Sequence, residues 1–389
     1  MIKKERIGTY IKGSAIGGKF YQAYLPPPLP PAPPLNMEIL YPFLDQANIA
    51  LGRLDGLRLL LPDSGLFLYM YIRKEALLSS QIEGTQSSLA DLLLFENEQA
   101  PGVPLDDVTE VSCYVAAMKY GLERIKELPL SLRLIREIHE KLMNNARGCH
   151  KSPGEFRTTQ NWIGGSRPGN ARFVPPPPER LMETLDAFEK FLHDDTVKLP
   201  ALIIAALAHG QFETIHPFLD GNGRLGRLLI TLILCQKGLM KEPLLYLSLY
   251  LKTNRQPYYD HLQAVRETGN WEDWIKFFLV GVSEVASQAT EAAQSILQLF
   301  KQDHEKIKQS EASGGGIFTV HHYLQQNPVV GTGLIMRNCA LSRPTVLRTM
   351  ATLQKLEIVR EITGKSSHKV FIYQKYLDTL SQGTKPLSA

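Results

Sequence analysis

The chain has 389 residues, enough for two or three domains, and its 44% hydrophobic and 21% charged content is that of ordinary soluble protein. Lys and Arg number 43 against 39 Asp and Glu, which gives no indication of a nucleic-acid binder. No run of about 18 apolar residues offers a membrane span, the charged start Met-Ile-Lys-Lys-Glu-Arg lacks a signal core, and four scattered cysteines without a CxxC point to reduced thiols. A cytoplasmic location with no membrane partner is expected.

A proline cluster between Tyr24 and Leu35 predicts an extended polyproline arm laid across its own globule. From Leu66 to Gly84, Leu68, Ile72, Ala76 and the Leu77/Ser80 edge share a side, which predicts one helix stopped by Gly84. Its last turn carries Ser79 and Glu83. A carboxylate there faces the negative end of the helix dipole, so a compensating cation is expected. Val108 to Met143 reads as scaffold helices broken at Leu130-Ser131, with Ser131 as N-cap. Gly148 to Pro178 turns to Gly, Pro, Arg and short β-formers such as Asn161-Trp162-Ile163, which predicts a hairpin or flap; about thirty residues without helix inside a compact domain are more often functional than not.

Ala201 to Phe212 and Leu228 to Cys235 read as buried helices, and the polar dozen between them, His216 to Arg227, is held as a loop. Gly221 and Gly223 allow close backbone approach and, with Asn222, can aim N–H groups at phosphate oxygens. The next helix directs its positive dipole end at the same anion, and Arg224 and Arg227, three apart, suit two phosphates on one face. Asp220 offers a hard oxygen for one Mg²⁺ bridging phosphates. His216 is a candidate general base, kept out of the following turn by Pro217. Together these suit a nucleoside polyphosphate. His209 and Glu213 on the preceding helix read as structural, as do Trp271 and Trp274. Asn254, Arg255, Tyr258 and Tyr259 precede a helix running to Glu267; rings and an amide suit adenine, although tyrosines there are core contacts at least as often.

Ala286 to Ser310 reads as a long helix, and Ser313-Gly314-Gly315-Gly316 as a linker. Beyond it, Ile317–Gln326, Thr332–Cys339 and Ser342–Leu356 predict three helices, with Val346, Met350 and Leu353 facing inward. Ile358–Ile362 and Lys369–Tyr373 are strand-like. That order predicts a winged helix-turn-helix, in which Arg343, Arg348, Lys355, Lys365 and Lys369 could meet DNA. The segment is only modestly basic, so DNA contact weighs about evenly against protein docking or dimerisation.

The dozen residues from His216 to Arg227 resemble the Fic signature, His-Pro-Phe-x-(Asp/Glu)-Gly-Asn-Gly-Arg-x-x-Arg, at every specified position. The resemblance implies transfer of AMP from ATP to Ser, Thr or Tyr hydroxyls of proteins, this protein itself among them. His216 would act as base and Asp220 would hold Mg²⁺. Gly221, Asn222, Gly223, Arg224, Leu225, Gly226 and Arg227 would bind ATP, with Arg227 on the γ-phosphate. The related Doc branch carries Lys where this chain has Gly223, which argues against a kinase. Ser79-Ser80-Gln81-Ile82-Glu83-Gly84 is similar to the family's inhibitory motif, implying that Glu83 pairs with Arg227 and blocks productive ATP binding. The resemblance also implies that Ile163, Gly164 and Phe173 dock the target by strand addition, and that Asn254, Tyr258 and Tyr259 line the nucleoside pocket. By family analogy alone, a homodimer is expected.

The expected fold is mainly α: a Fic-type helical core with a small β-hairpin flap, plus a C-terminal winged helix-turn-helix domain. Its divisions are an arm and inhibitory-helix region (1–107), the core (108–312) and the C-terminal domain (313–389). Two other activities stay open, a nucleotide-sensing DNA-binding regulator and a hydrolase removing AMP through the same site.

Overall fold

The computed structural model describes residues 3–15, 19–57, 64–96, 105–144, 150–310, 314–364 and 369–386. Expectations attached to Cys149, Ser313 and Lys365 lie outside the described residues. The chain opens with an antiparallel hairpin, β1 (Thr9–Ala15) and β2 (Lys19–Leu25), with Thr9 opposite Leu25. The sequence reading did not anticipate it, although Phe20, Tyr21 and Tyr24 are β-formers. The proline run follows. Its Leu29–Pro30 and Ala32–Pro33 peptides are cis.

The run does lie across its own globule. Proline lacks an N–H, so its carbonyl is its one polar backbone group, and core side chains reach three of them. Gln211 donates to Pro27 O at 2.8 Å, while Arg6 donates through Nε to Pro33 O (2.7 Å) and through Nη2 to Pro34 O (2.5 Å). The remaining Arg6 nitrogen meets both Glu272 oxygens, at 3.0 and 2.8 Å, and Lys3 joins them. Burial pushes the Glu272 carboxyl up, but Arg6, Lys3 and the Asn36 N–H outweigh it and hold it at about 2. Glu272→Ala is expected to cost about 3–5 kcal/mol, because it strands a buried guanidinium; denaturant midpoints measure it. The contribution of this carboxylate to stability is present above its ordinary pKa and lost as pH falls towards 2.

The helical body comprises α1 (Tyr41–Leu57), α2 (Ser64–Ile82), α3 (Leu89–Glu96), α4 (Leu105–Arg124), α5 (Leu132–Met143), α6 (Pro178–His193), α7 (Ala201–Ile215), α8 (Asn222–Gln236), α9 (Ser248–Thr253), α10 (Arg255–Thr268) and α11 (Trp271–Gln309). Ser131 caps α5, accepting from Leu134 N at 3.3 Å. α7 and α8 are the apolar runs either side of the signature loop, and both are buried nearly throughout because they pack on each other at the centre of the body. The helix read from Ala286 to Ser310 is the C-terminal part of a single 39-residue helix, α11, which begins at Trp271. Trp274 is fully buried and its indole donates to Ala206 O at 2.9 Å, tying α11 to α7.

The segment beyond α11 runs α12 (Gly315–Gln326), β3 (Val329–Gly331), α13 (Thr332–Asn338), α14 (Arg343–Lys355), β4 (Arg360–Glu361), β5 (Val370–Ile372) and α15 (Gln374–Leu380), with an antiparallel sheet in the order β3-β5-β4. β3 and α15 were not foreseen. The segment shares one continuous apolar core with the rest of the chain, and Tyr373 donates to Asp303 of α11 at 2.7 Å. The fold is mainly helical with small antiparallel sheets. Among the described residues no helix is long and apolar enough to cross a membrane.

Candidate active site

The loop between α7 and α8 is shaped by residues that cannot extend a helix. His216 ends α7 in the left-handed region (φ 49°, ψ 60°), Pro217 follows, and Gly221 (φ 74°) starts α8. A Cβ on Gly221 would lie 2.7 Å from Met143 Sδ, a flexible side chain that could shift, so it is the positive φ that calls for glycine. Asn222 is 2% exposed and folds back on Phe218, accepting from its N–H (2.9 Å) and donating to its carbonyl (2.8 Å). Its side chain therefore closes the loop.

Residues remote in sequence hold the loop from outside. His139 on α5 stacks on Phe218 with centroids 3.7 Å apart. Its Nδ1 accepts from Gly154 N, so the proton is on Nε2, which donates to Asp220 O at 3.0 Å. Arg157 and Asn161, at the root of the Gly148–Pro178 segment, bind the carbonyls of His216 to Phe218. That segment contains one antiparallel bridge, Ile163 opposite Phe173. It is supported by β2, because Tyr24 N donates to Val174 O at 2.9 Å.

A cavity of about 340 Å³ opens at the loop, lined by Glu83, Ile163, Gly164, Phe173, His216, Gly223, Arg227 and Tyr259, with Glu213 and Arg266 also on its wall. Arg227 is 2% exposed. It donates through Nε to Ser79 Oγ (2.8 Å), and through Nη2 to Ser79 O (3.0 Å) and Glu83 Oε1 (2.7 Å). Glu83 enters past Gly223, where a Cβ would stand 2.4 Å from its Oε1. Its side chain is 39% exposed, towards the cavity. Burial works to raise the Glu83 carboxyl, but Arg227, helped by Arg224 and His216, holds it below its ordinary value. Burial likewise opposes the Arg227 charge, and Glu83 outweighs it.

His216 is pushed down to about 4 by burial and by the cations Arg266 and Arg157. It is neutral at pH 7 and able to accept a proton. Burial raises Glu213 to about 7, against the pull of Arg227. Its Oε1 has no hydrogen-bond partner among the described residues. Glu213 thus belongs to the cavity wall, where the sequence reading made it structural; standing three residues before His216 on α7 was the available signal. His209 is structural, 1% exposed and 2.8 Å from Tyr258 Oη.

Several expected site residues stand elsewhere. Arg224 does not reach the cavity with Arg227, although the two lie three apart on α8: its guanidinium is taken by Glu110 at 2.9 Å, with Asp220 Oδ1 3.9 Å away. Leu225 is core. Gly226 makes room for Glu213, whose Oε1 would be 2.6 Å from an added Cβ. Tyr258 is fully buried behind Tyr259 with His209 and Trp274, and the Asn254 side chain donates to Tyr250 O at 3.1 Å. Of the expected adenine set, Tyr259 lines the cavity. Asp220 is 38% exposed on its side chain, with Oδ1 accepting from Gly221 N at 2.7 Å.

Fold and site define a helical protein with a cavity, lined by a buried arginine and a histidine, at the junction of two core helices. Residues 41–123 match the Fic/DOC family N-terminal model and residues 129–234 the Fic/DOC family model, which places this part of the chain in the Fic/DOC family. It is similar to Protein adenylyltransferase Fic of Drosophila grimshawi, 28% identical over 253 residues, which are 63% of this chain and 48% of the relative. The protein of the same name from Culex quinquefasciatus is 33% identical over 204 residues, 50% of this chain and 37% of the relative. The chain thus spans under half the length of these relatives. In fold it is similar to the crystal structure of a Fic family protein from Desulfovibrio desulfuricans G20, with TM-score 0.55 and 19% identity over 90% of this chain and 98% of that one.

Proposed function

We propose that the chain is a protein adenylyltransferase restrained by Glu83. The observation that carries the reading is one cavity in which neutral His216, the Gly223 backbone and the Arg227 guanidinium converge beneath the Ile163–Phe173 bridge. A target segment adding to that backbone would bring a hydroxyl to His216 with little demand on sequence. His216 takes the hydroxyl proton, the oxygen attacks the α-phosphorus of ATP, and the bond to the β-phosphate breaks, releasing pyrophosphate. Asp220 provides one hard oxygen beside the loop; it is the residue that would hold Mg²⁺, which supplies charge neutralisation when bound with the polyphosphate. Glu83 occupies the guanidinium a γ-phosphate would use. Protein labelling by ATP labelled at the α- or the γ-phosphate tests the reading: α-label supports it, and γ-label means a kinase.

A second reading, a nucleotide-sensing DNA-binding regulator, is favoured by the C-terminal segment. Read as a winged helix, it presents Arg343, Leu347, Arg348 and Lys355 on the exposed face of α14, opposite the buried Val346, Met350 and Leu353. Specific duplex binding at physiological salt, with no protein label even after Glu83 is removed, would favour it.

A further inference from the structure

We infer that Arg157 and Asn161 are positioning residues for His216, an inference resting on the adenylyl-transfer reading. Three consecutive carbonyls of the loop are held by this one segment. Arg157 Nε and Asn161 Nδ2 both donate to His216 O, at 3.0 and 3.1 Å; Arg157 N donates to Pro217 O at 2.9 Å; and Asn161 Nδ2 also meets Phe218 O at 3.0 Å. His216 is a non-glycine residue at φ 49°, a conformation that persists only where its surroundings over-determine it. The clamp does so. Arg157 is 3% exposed, and its other contacts are the carbonyls of Thr159, Pro176 and Ile215. Gln160 adds a bond to Pro175 O at 3.1 Å. Both arms of the flap are thereby pinned to the loop carrying the base, so the same residues fix the distance between a docked hydroxyl and His216.

The test uses full-length protein with Glu83→Gly as parent, adding Asn161→Ala, Arg157→Lys or Arg157→Gln. Asn161→Ala and Arg157→Lys are expected to lower kcat about 10- to 100-fold with the KM for ATP nearly unchanged, as misplacement of a reacting group does. Arg157→Gln should in addition move the acid limb of the pH profile upward, because a cation that disfavours protonated His216 is gone. Unchanged kcat, or kcat and KM failing together with a collapsed melting temperature, overturns the inference. Histidine NMR of His216 gives a readout independent of turnover. If the parent transfers no AMP, the adenylyl-transfer reading fails, while a raised His216 pKa in Arg157→Gln and a shifted His216 resonance in Asn161→Ala still uphold the clamp. An unaltered resonance and titration reject it.

A different observation carries a second inference: the C-terminal tail is a strut holding the Glu83 end of α2 in place. Gln81, two residues before Glu83 and 1% exposed, donates to Thr384 O at 2.8 Å and Ser87 O at 2.9 Å. The buried Lys252 donates to Gln81 Oε1 at 2.6 Å, to Gly383 O at 3.2 Å, and to Lys385 O. Three successive tail carbonyls are thus taken by two buried side chains, and one of these lies on the turn that presents Glu83 to Arg227. Gly383 packs against Leu249, where a Cβ would stand 2.5 Å from Cδ1. Movement of the C-terminal helices is thereby relayed to the brake.

Ending the chain at Gln382 is expected to raise α-label transfer severalfold with Glu83 intact and to change nothing further in Glu83→Gly. Hydrogen exchange at the amides of Glu83, Gly84 and Thr85 should quicken in the truncated protein whether or not AMP is transferred. Unchanged exchange rejects the strut. Faster exchange without increased transfer, in a background where Glu83→Gly is active, rejects its regulatory role.

Discussion

Glu83→Gly is expected to raise protein labelling from α-labelled ATP by about 100-fold or more, equivalent to roughly 2.7 kcal/mol on the barrier. Arg227 is buried and already saturated on one side by Ser79 Oγ, Ser79 O and Glu83 Oε1. A γ-phosphate can reach the same guanidinium only by displacing the carboxylate. The two anions also repel, so ATP that binds beside Glu83 is expected to sit with its α-phosphate misplaced. Removing the carboxylate frees the donor and deletes the repulsion. Arg227 is 2% exposed, so removing Glu83 leaves a buried guanidinium held by Ser79 alone, and some loss of stability is expected alongside the gain in labelling. Glu83→Gln separates the contributions: it keeps the bulk beside Gly223 and removes the charge, and intermediate labelling is expected. Equal labelling in wild type and Glu83→Gly would sink the assignment of Glu83 as the brake. If neither is labelled while ATP still binds, the regulator reading gains.

The second large effect is expected from His216→Ala in the Glu83→Gly background, a loss of about 10²- to 10⁴-fold in kcat, the usual range for a general base. ATP affinity should be retained, since Arg227 and the loop backbone are untouched. The pH dependence follows from the site. A base must be neutral to act, and burial with Arg266 and Arg157 holds His216 at about 4. Activity assigned to it should therefore stay level as pH falls from 8 through 6 and decline only on approaching 4. Glu83 works to raise the His216 pKa, so Glu83→Gly should move the limb to still lower pH. A limb near pH 6.5, the ordinary value for histidine, would show that burial and the cations do not hold His216 down in solution.

Glu83→Gly and His216→Ala address residues legible in the sequence because their signals are local. Twelve contiguous residues carry His216, Asp220, the glycines and Arg227. The Ser79–Glu83 turn carries a carboxylate at the wrong end of its dipole, and that placement alone calls for a cation. Several helices of the body, α2, α4, α5, α7 and α8 among them, were likewise legible, since apolar spacing reports which face of a helix is buried; α1, α3, α6 and α9 were not read. The same spacing says nothing about which polar partner a buried charge will find. Arg224 found Glu110, 114 residues away, Tyr258 went to His209 and left the cavity to Tyr259, and Glu213 turned to the cavity with one oxygen unpaired. The carbonyl clamp of Arg157 and Asn161 and the hold of His139 on Asp220 join segments 55 to 81 residues apart, and the tie of Gln81 to Thr384 spans 303. Local pattern determined many of the helices and the reactive loop. Packing decided the partners, because a buried polar group must be satisfied by whatever the folded chain brings within about 3 Å, however distant in sequence.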